Sequence, residues 1–368
     1  MDFLLDDEQE ALRDAVRGLL KGYDAEKRRQ VTDADPGFDE AMWKKLADMG
    51  VLGLPFPEDV GGSGAGPAEV SVVAEEIGRV IAPEPFVEAV VFAGGLVAAL
   101  GSDGQKKEIL GGLSAGELLP AVAWMSPHGD DEGVTVDGDT LTGVKEPVLN
   151  GARADVLLVL AEGGLFVVKG EDVDAHGERT SYRTVDGGRA ARVSFDKTPA
   201  TPLGDGGDAH DAFEMLVAIA RIAYGHEALG AMESGLSMTT EYLKTRKQFG
   251  VTLNTFQALT FRAADMYTSV ELTRSIVMWA TMVLADAGDP ALVKDAARRS
   301  KLQVSRAGRH IGQEAIQLHG GIGMTMEYAV GHITTRLTTI DHLLGDGREQ
   351  GRALRENLTS YGVVEPLP

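Results

Sequence analysis

The residues best suited to chemistry in this chain are Arg246-Lys247-Gln248-Phe249-Gly250. A guanidinium fork pairs with two phosphate oxygens at once, and a phenyl ring beside it can flank a planar cofactor. The same five residues also read as a helix–helix turn with a solvated arginine, because long helical patterns flank them on both sides. A second group, Gln317-Leu318-His319-Gly320-Gly321, closes another helical run. Its glycines can stop a helix and let a ligand approach the backbone, and one feature can do both. His319 reads as a packing or capping histidine rather than a base. In the third group, Gly345-Asp346-Gly347, the carboxylate is either a solvated turn residue or a proton acceptor. The chain has no cysteine, which excludes thiolate catalysis, disulfides and cysteine-bound metals. Its eight histidines form no His-x-x-x-His pair, so no metal site is expected. Gly61-Gly62-Ser63-Gly64-Ala65-Gly66 lacks the Lys-Ser/Thr that a phosphate loop requires and reads as a flexible loop. Met324, Met326 and Tyr328 could line an acyl pocket or simply pack in the core.

Long helices and one short-stranded region must position these groups. A length of 368 residues, 43% of them hydrophobic, allows one large domain or two to three smaller ones. The net charge of −21 argues against nucleic acid, yet it permits an anionic ligand held by local arginines and helix ends. No apolar run approaches the roughly 18 residues of a membrane span. The opening MDFLLDDEQEALRDAV has no basic segment before an apolar one, so a cytoplasmic protein is the expectation. From Asp6 to about Leu113 apolar residues recur at helical spacing, as in Leu12, Val16, Leu19 and Leu20. Between Glu117 and Pro202 the pattern changes to short strands, with Gly138-Asp139 and Gly163-Gly164 as hairpin turns. Helical periodicity returns over 212–245, 254–288 and 290–318. The expected class is α+β: an N-terminal helical domain (1–116), a middle antiparallel β-domain (117–205) and a C-terminal helical domain (206–368).

Four segments in this order resemble the acyl-CoA dehydrogenase family. They are Phe3-Leu4-Leu5-Asp6-Asp7-Glu8-Gln9 with Leu12-Arg13; Leu46 through Leu54 continuing to Glu75-Glu76-Ile77-Gly78-Arg79; Arg246 through Gly250 with Phe256-Gln257; and Gln317 through Gly323. They span nearly the whole chain. The resemblance implies a C-terminal four-helix bundle, FAD as cofactor, an acyl-CoA substrate and electron-transfer flavoprotein as acceptor. It also implies that Arg246, Gln248, Phe249, Gln317, Gly320 and Gly321 contact the FAD of a neighbouring subunit.

The reaction of that family takes a proton from the carbon beside the thioester and a hydride from the next carbon. A positioned, partly desolvated carboxylate must accept the proton. Carried onto this chain, the family's two base positions fall on Leu344 and on Ala220, which precedes Arg221. Neither side chain can accept a proton. The flavin-covering segments of the family are altered as well: Lys145-Glu146-Pro147-Val148-Leu149 has Pro147 for a tryptophan and Leu149 for a threonine. The segment Trp124-Met125-Ser126-Pro127 leads into an acidic run, Asp130-Asp131-Glu132, that would repel phosphates or lie solvated. The resemblance therefore points to a base-lacking subunit of a heterotetramer, of a kind that acts on steroid side-chain CoA thioesters. Two other readings remain open. One is a self-sufficient homo-oligomer with Asp346 as base; the other is a flavin-free scaffold.

Overall fold

Asp6 starts the first helix: its carboxylate accepts from the Gln9 amide at 2.8 Å, and the Gln9 side chain accepts from the Asp6 amide. In the computed structural model, which describes residues 5–127, 133–286, 289–325, 327–358 and 361–362, this is α1 (Asp7–Leu20). It is followed by α2 (Ala25–Asp33), α3 (Glu40–Asp48) and α4 (Pro67–Val80). A wide π-helical run over Phe86–Gly94 continues into α5 (Gly95–Leu100), and the short α6 (Asp103–Gln105) and α7 (Gly111–Ser114) lead to the sheets.

The middle region contains β1 (Pro120–Ala123), β2 (Val134–Asp137), β3 (Thr140–Leu149), β4 (Val156–Ala161), β5 (Gly164–Lys169), α8 (Gly170–His176), β6 (Gly177–Arg183), β7 (Arg189–Pro199) and β8 (Thr201–Pro202). Two four-stranded sheets form, in the orders β1-β4-β5-β8 and β2-β3-β7-β6. The Gly138-Asp139 hairpin joins β2 to β3, and the second hairpin turns at Glu162-Gly163, with φ of 49° and 83°. The antiparallel expectation needs one correction. β1 pairs with β4 in parallel, because the β2–β3 hairpin leaves for the other sheet before the chain returns beside β1.

The C-terminal region consists of α9 (His210–Thr245), a two-stranded hairpin β9 (Lys247–Gln248) and β10 (Val251–Thr252), and then α10 (Gln257–Asp286), α11 (Pro290–His319), α12 (Ala329–His342) and α13 (Gly347–Glu356). Helices α9 to α12 form the four-helix bundle, and α13 packs outside it on α11. The N-terminal helices share this bundle's core: one apolar cluster runs from Val16 through Phe86 and Ala220 to Leu344. Glycines bring α4 and α9 into backbone contact. A Cβ on Gly78 would lie 1.9 Å from the Glu227 carbonyl oxygen, and one on Gly230 would lie 2.0 Å from that of Glu75. A separate core that includes Leu141, Val148, Leu157 and Val193 fills the β-region. Among the described residues no helix is long and apolar enough to cross a membrane.

Candidate functional site

Arg246 is the first residue past α9, in extended backbone. It leads into the β9–β10 hairpin, whose two turn residues, Phe249 and Gly250, have φ of 53° and 83°. Left-handed φ at both positions is the tight-hairpin geometry that glycine tolerates and phenylalanine rarely adopts. The Phe249 side chain is 92% exposed and meets Phe256 edge-on at 6.1 Å. The left-handed backbone thus holds an almost fully exposed ring at the hairpin tip.

The C-terminal end of α11 reaches the same place, because α9 and α11 run in the same direction through the bundle. His319 makes the junction. Its ring packs on Tyr242 of α9 at 4.5 Å and on Tyr328 at 5.1 Å, and its Nδ1 donates to the Ala315 carbonyl at 2.7 Å. Burial lowers its pKa, so it packs as a neutral ring. Past it, Gly320 has φ 63° and ψ −142°, a conformation close to glycine-only. No atom lies within 4 Å of where a Cβ would stand on Gly320, Gly321 or Gly250. The structure thus gathers Arg246, Gln248, Phe249, Gln317, Gly320 and Gly321, all exposed, at one end of the bundle. An arginine fork, two amides, a ring and open glycine backbone suit a diphosphate attached to a planar group. Met324 is 78% exposed at this end, Tyr328 packs on His319, and Met326 lies outside the described residues.

Ala220 and Leu344, onto which the family's base positions fall, lie elsewhere. Ala220 is fully buried in α9, and its neighbour Arg221 donates from Nε to the Leu344 carbonyl at 2.8 Å. Leu344 is itself 8% exposed, with φ 57°. Nearby, Lys301 donates to the Ile340 carbonyl, and burial pushes its pKa down to about 7. Asp346 caps α13, accepting from the amides of Arg348 at 2.8 Å and Glu349 at 2.9 Å. Those amides, Glu349's first, hold its carboxyl below the usual carboxylate range. A base that abstracts from carbon needs the opposite shift.

The altered β-segments pack on one another beside the start of α9. Glu146 donates its amide to the Met125 carbonyl at 2.8 Å and pairs with Arg192 at 2.9 Å, while Lys145 is buried and donates from Nζ to the Trp124 carbonyl at 3.1 Å. The Trp124 ring packs on Phe213 at 5.8 Å, and Phe213 on Phe92 at 5.6 Å. Asp130-Asp131-Glu132 lie outside the described residues.

Sequence reading missed a buried ion-pair lattice at this end. Arg336 pairs with Glu227 at 2.6 Å, Asp186 at 2.9 Å and Glu88 at 3.6 Å. Arg28 donates to the backbone carbonyls of Ile81 and Asp186. The cavity between this lattice, Leu149 and Leu343 is about 30 Å³, room for a water or two. The signal was present as charges on otherwise apolar helical runs, such as Glu227 within Tyr224-Gly225-His226-Glu227-Ala228-Leu229. At 1.5 Å per residue, Ala220 and Arg246 stand about 39 Å apart along α9, further than one extended dinucleotide spans.

Residues 6–117 match the family model described as acyl-CoA dehydrogenase, N-terminal domain, and residues 211–350 match the C-terminal domain. A curated relative, acyl-CoA dehydrogenase IpdE2 of Mycobacterium tuberculosis, is 30% identical over 356 residues, 96% of this chain and 98% of that one. This chain belongs to the acyl-CoA dehydrogenase family. Two solved structures are similar over nearly the whole chain. One is a variant of the Tcur3481-Tcur3483 steroid ACAD, at TM-score 0.86, 30% identity and coverage of 96% and 98%. The other is the ChsE4-ChsE5 complex from Mycobacterium tuberculosis, at TM-score 0.90, 26% identity and coverage of 99% and 100%.

Proposed function

We propose that this chain is the base-lacking subunit of a heterotetrameric, FAD-dependent acyl-CoA dehydrogenase, and that it completes the FAD site of a catalytic partner. The observation that carries this reading is the separation of the exposed clamp, Arg246 to Gly250 with Gln317 to Gly321, from Ala220, about 39 Å away along the same helix, beside which Arg221 holds the Leu344 backbone. A clamp that cannot serve its own chain's base position serves a neighbour's. In the complex, Arg246 would hold the FAD diphosphate, Gln248 and Gln317 would supply amide hydrogen bonds, and Phe249 would shield the cofactor from water. Gly320 and Gly321 let their backbone approach it. Flavin supplies hydride acceptance when bound; the partner's carboxylate accepts the proton.

Likeness to a steroid ACAD and to the ChsE4-ChsE5 complex supports a hetero-oligomer; the reading extends this to an α2β2 assembly acting on a steroid side-chain CoA thioester, with electron-transfer flavoprotein as acceptor and the cytoplasm as location. Domain limits at 116 and 205 belong to the same proposal. The capping role of Asp346 weighs against a self-sufficient enzyme. A flavin-free scaffold would leave the open glycine backbone and the exposed Phe249 without a ligand. The test is to purify this chain alone and with the product of its genomic neighbour. Flavin absorbance and turnover are expected only from the pair; full flavin and full turnover from the lone chain would overturn the proposal.

A further inference from the structure

Among the described residues, six arginines border one open groove of about 1190 Å³, in a chain whose net charge is −21. They stand in two rows. Arg348, Arg352 and Arg355 follow one face of α13 at steps of four and three. Arg299, Arg306 and Arg309 follow α11 at steps of seven and three. The helices run antiparallel and close, with Gly347 against Ser305 and Gly351 against Leu302, so the rows face each other along their length. Arg299 pairs with Asp295 at 2.6 Å, and Arg309 lies 3.7 Å from Asp341. Among the described residues no carboxylate stands within 4 Å of Arg306, Arg348, Arg352 or Arg355. Asp346, which also lines the groove, is engaged in capping α13. The floor is apolar, made by Ile276, Leu302, Leu354 and Leu358, and Leu358 is 66% exposed.

We propose that this groove is a docking site for an acidic amphipathic helix of another polypeptide. Charge complementarity selects the sign: four solvent-facing arginines, with no carboxylate within 4 Å among the described residues, repel one another and gain from carboxylates placed between them. The floor and the length select the shape. The α11 row spans about 15 Å, roughly ten residues of helix, and an apolar stripe at helical spacing would seat on the leucines with its acidic flanks against both rows. A small anion would use one or two of the arginines and leave the apolar floor uncovered. The site is separate from the flavin clamp, since no arginine of the groove belongs to it, so either proposal can fail alone.

The probe is a fluorescein-labelled acidic helical peptide with leucines at positions one, four, five and eight and glutamates elsewhere, titrated with the full chain by anisotropy. Binding is expected, together with at least tenfold weakening in Arg306→Glu/Arg352→Glu, a smaller loss in Arg306→Gln/Arg352→Gln and none in Arg352→Lys. A peptide with lysine for every glutamate should not bind. Equal affinity for the charge-reversed variant would overturn the proposal. So would equal binding of a proline-broken acidic peptide, or displacement by pyrophosphate at the same concentration, since either shows a general anion site. Thermal melts matching wild type establish that both double variants are folded.

Discussion

The two ends of α9 differ in the direction their side chains face. At the Ala220 end the groups turn inward: Ala220 and Leu344 are buried, Arg221 holds the Leu344 backbone, and Arg336 joins three carboxylates in a buried lattice. At the Arg246 end the groups turn outward, with a strained ring at a hairpin tip and glycine backbone left open. On the proposed reading, the interior half of the site is lost and the half offered to a neighbour is kept. The two halves differ physically. The interior positions are buried and add packing, whereas the exposed arginine and phenylalanine add little to the stability of the lone chain.

The largest expected effect tests the closed end. Arg336→Met leaves Glu227, Asp186 and Glu88 without their shared cation and should cost about 3–5 kcal/mol in urea unfolding. A loss below about 1 kcal/mol would show that the lattice does not hold this end shut. Next is Arg246→Ala, which should weaken FAD retention by the complex about 100-fold while leaving the thermal midpoint of the lone chain unchanged, as expected of a solvated side chain that binds a diphosphate. Unchanged flavin occupancy would remove the clamp from the account. Phe249→Ala should weaken FAD about tenfold, a typical loss for one contacting ring. Because alanine keeps the strain of a left-handed position and glycine does not, Phe249→Gly should lose flavin equally while relieving that strain.

The smallest effect separates the two ends most simply. Asp346→Ala removes the α13 cap and should cost about 1 kcal/mol of stability. Turnover of the complex should be unaffected, whereas abolished turnover would make Asp346 a base after all. Its lowered pKa gives the sign of the pH dependence. The cap contributes stability above the ordinary carboxylate pKa and loses it as pH falls through the depressed one, so wild type and variant should converge in acid.

Much of the fold was legible because local patterns encode it. The three long helices begin and end within a few residues of their periodicity, and glycines mark both hairpins. The parallel β1–β4 pair was not legible, since strand direction is decided by where the intervening chain travels. The clamp was readable in two pieces, yet their junction through Tyr242, His319 and Tyr328 depends on three separated aromatic rings with no shared motif. The lattice at Arg336 draws partners from four distant segments, each unremarkable alone. The facing arginine rows likewise become a groove only once α13 folds back on α11.

Native mass spectrometry of the complex formed with the catalytic partner counts chains and flavins together. A clamp lent in one direction only predicts two FAD molecules per four chains, none of which survives when Arg246 is replaced by alanine. Four FAD molecules per four chains, or two retained without Arg246, would contradict it.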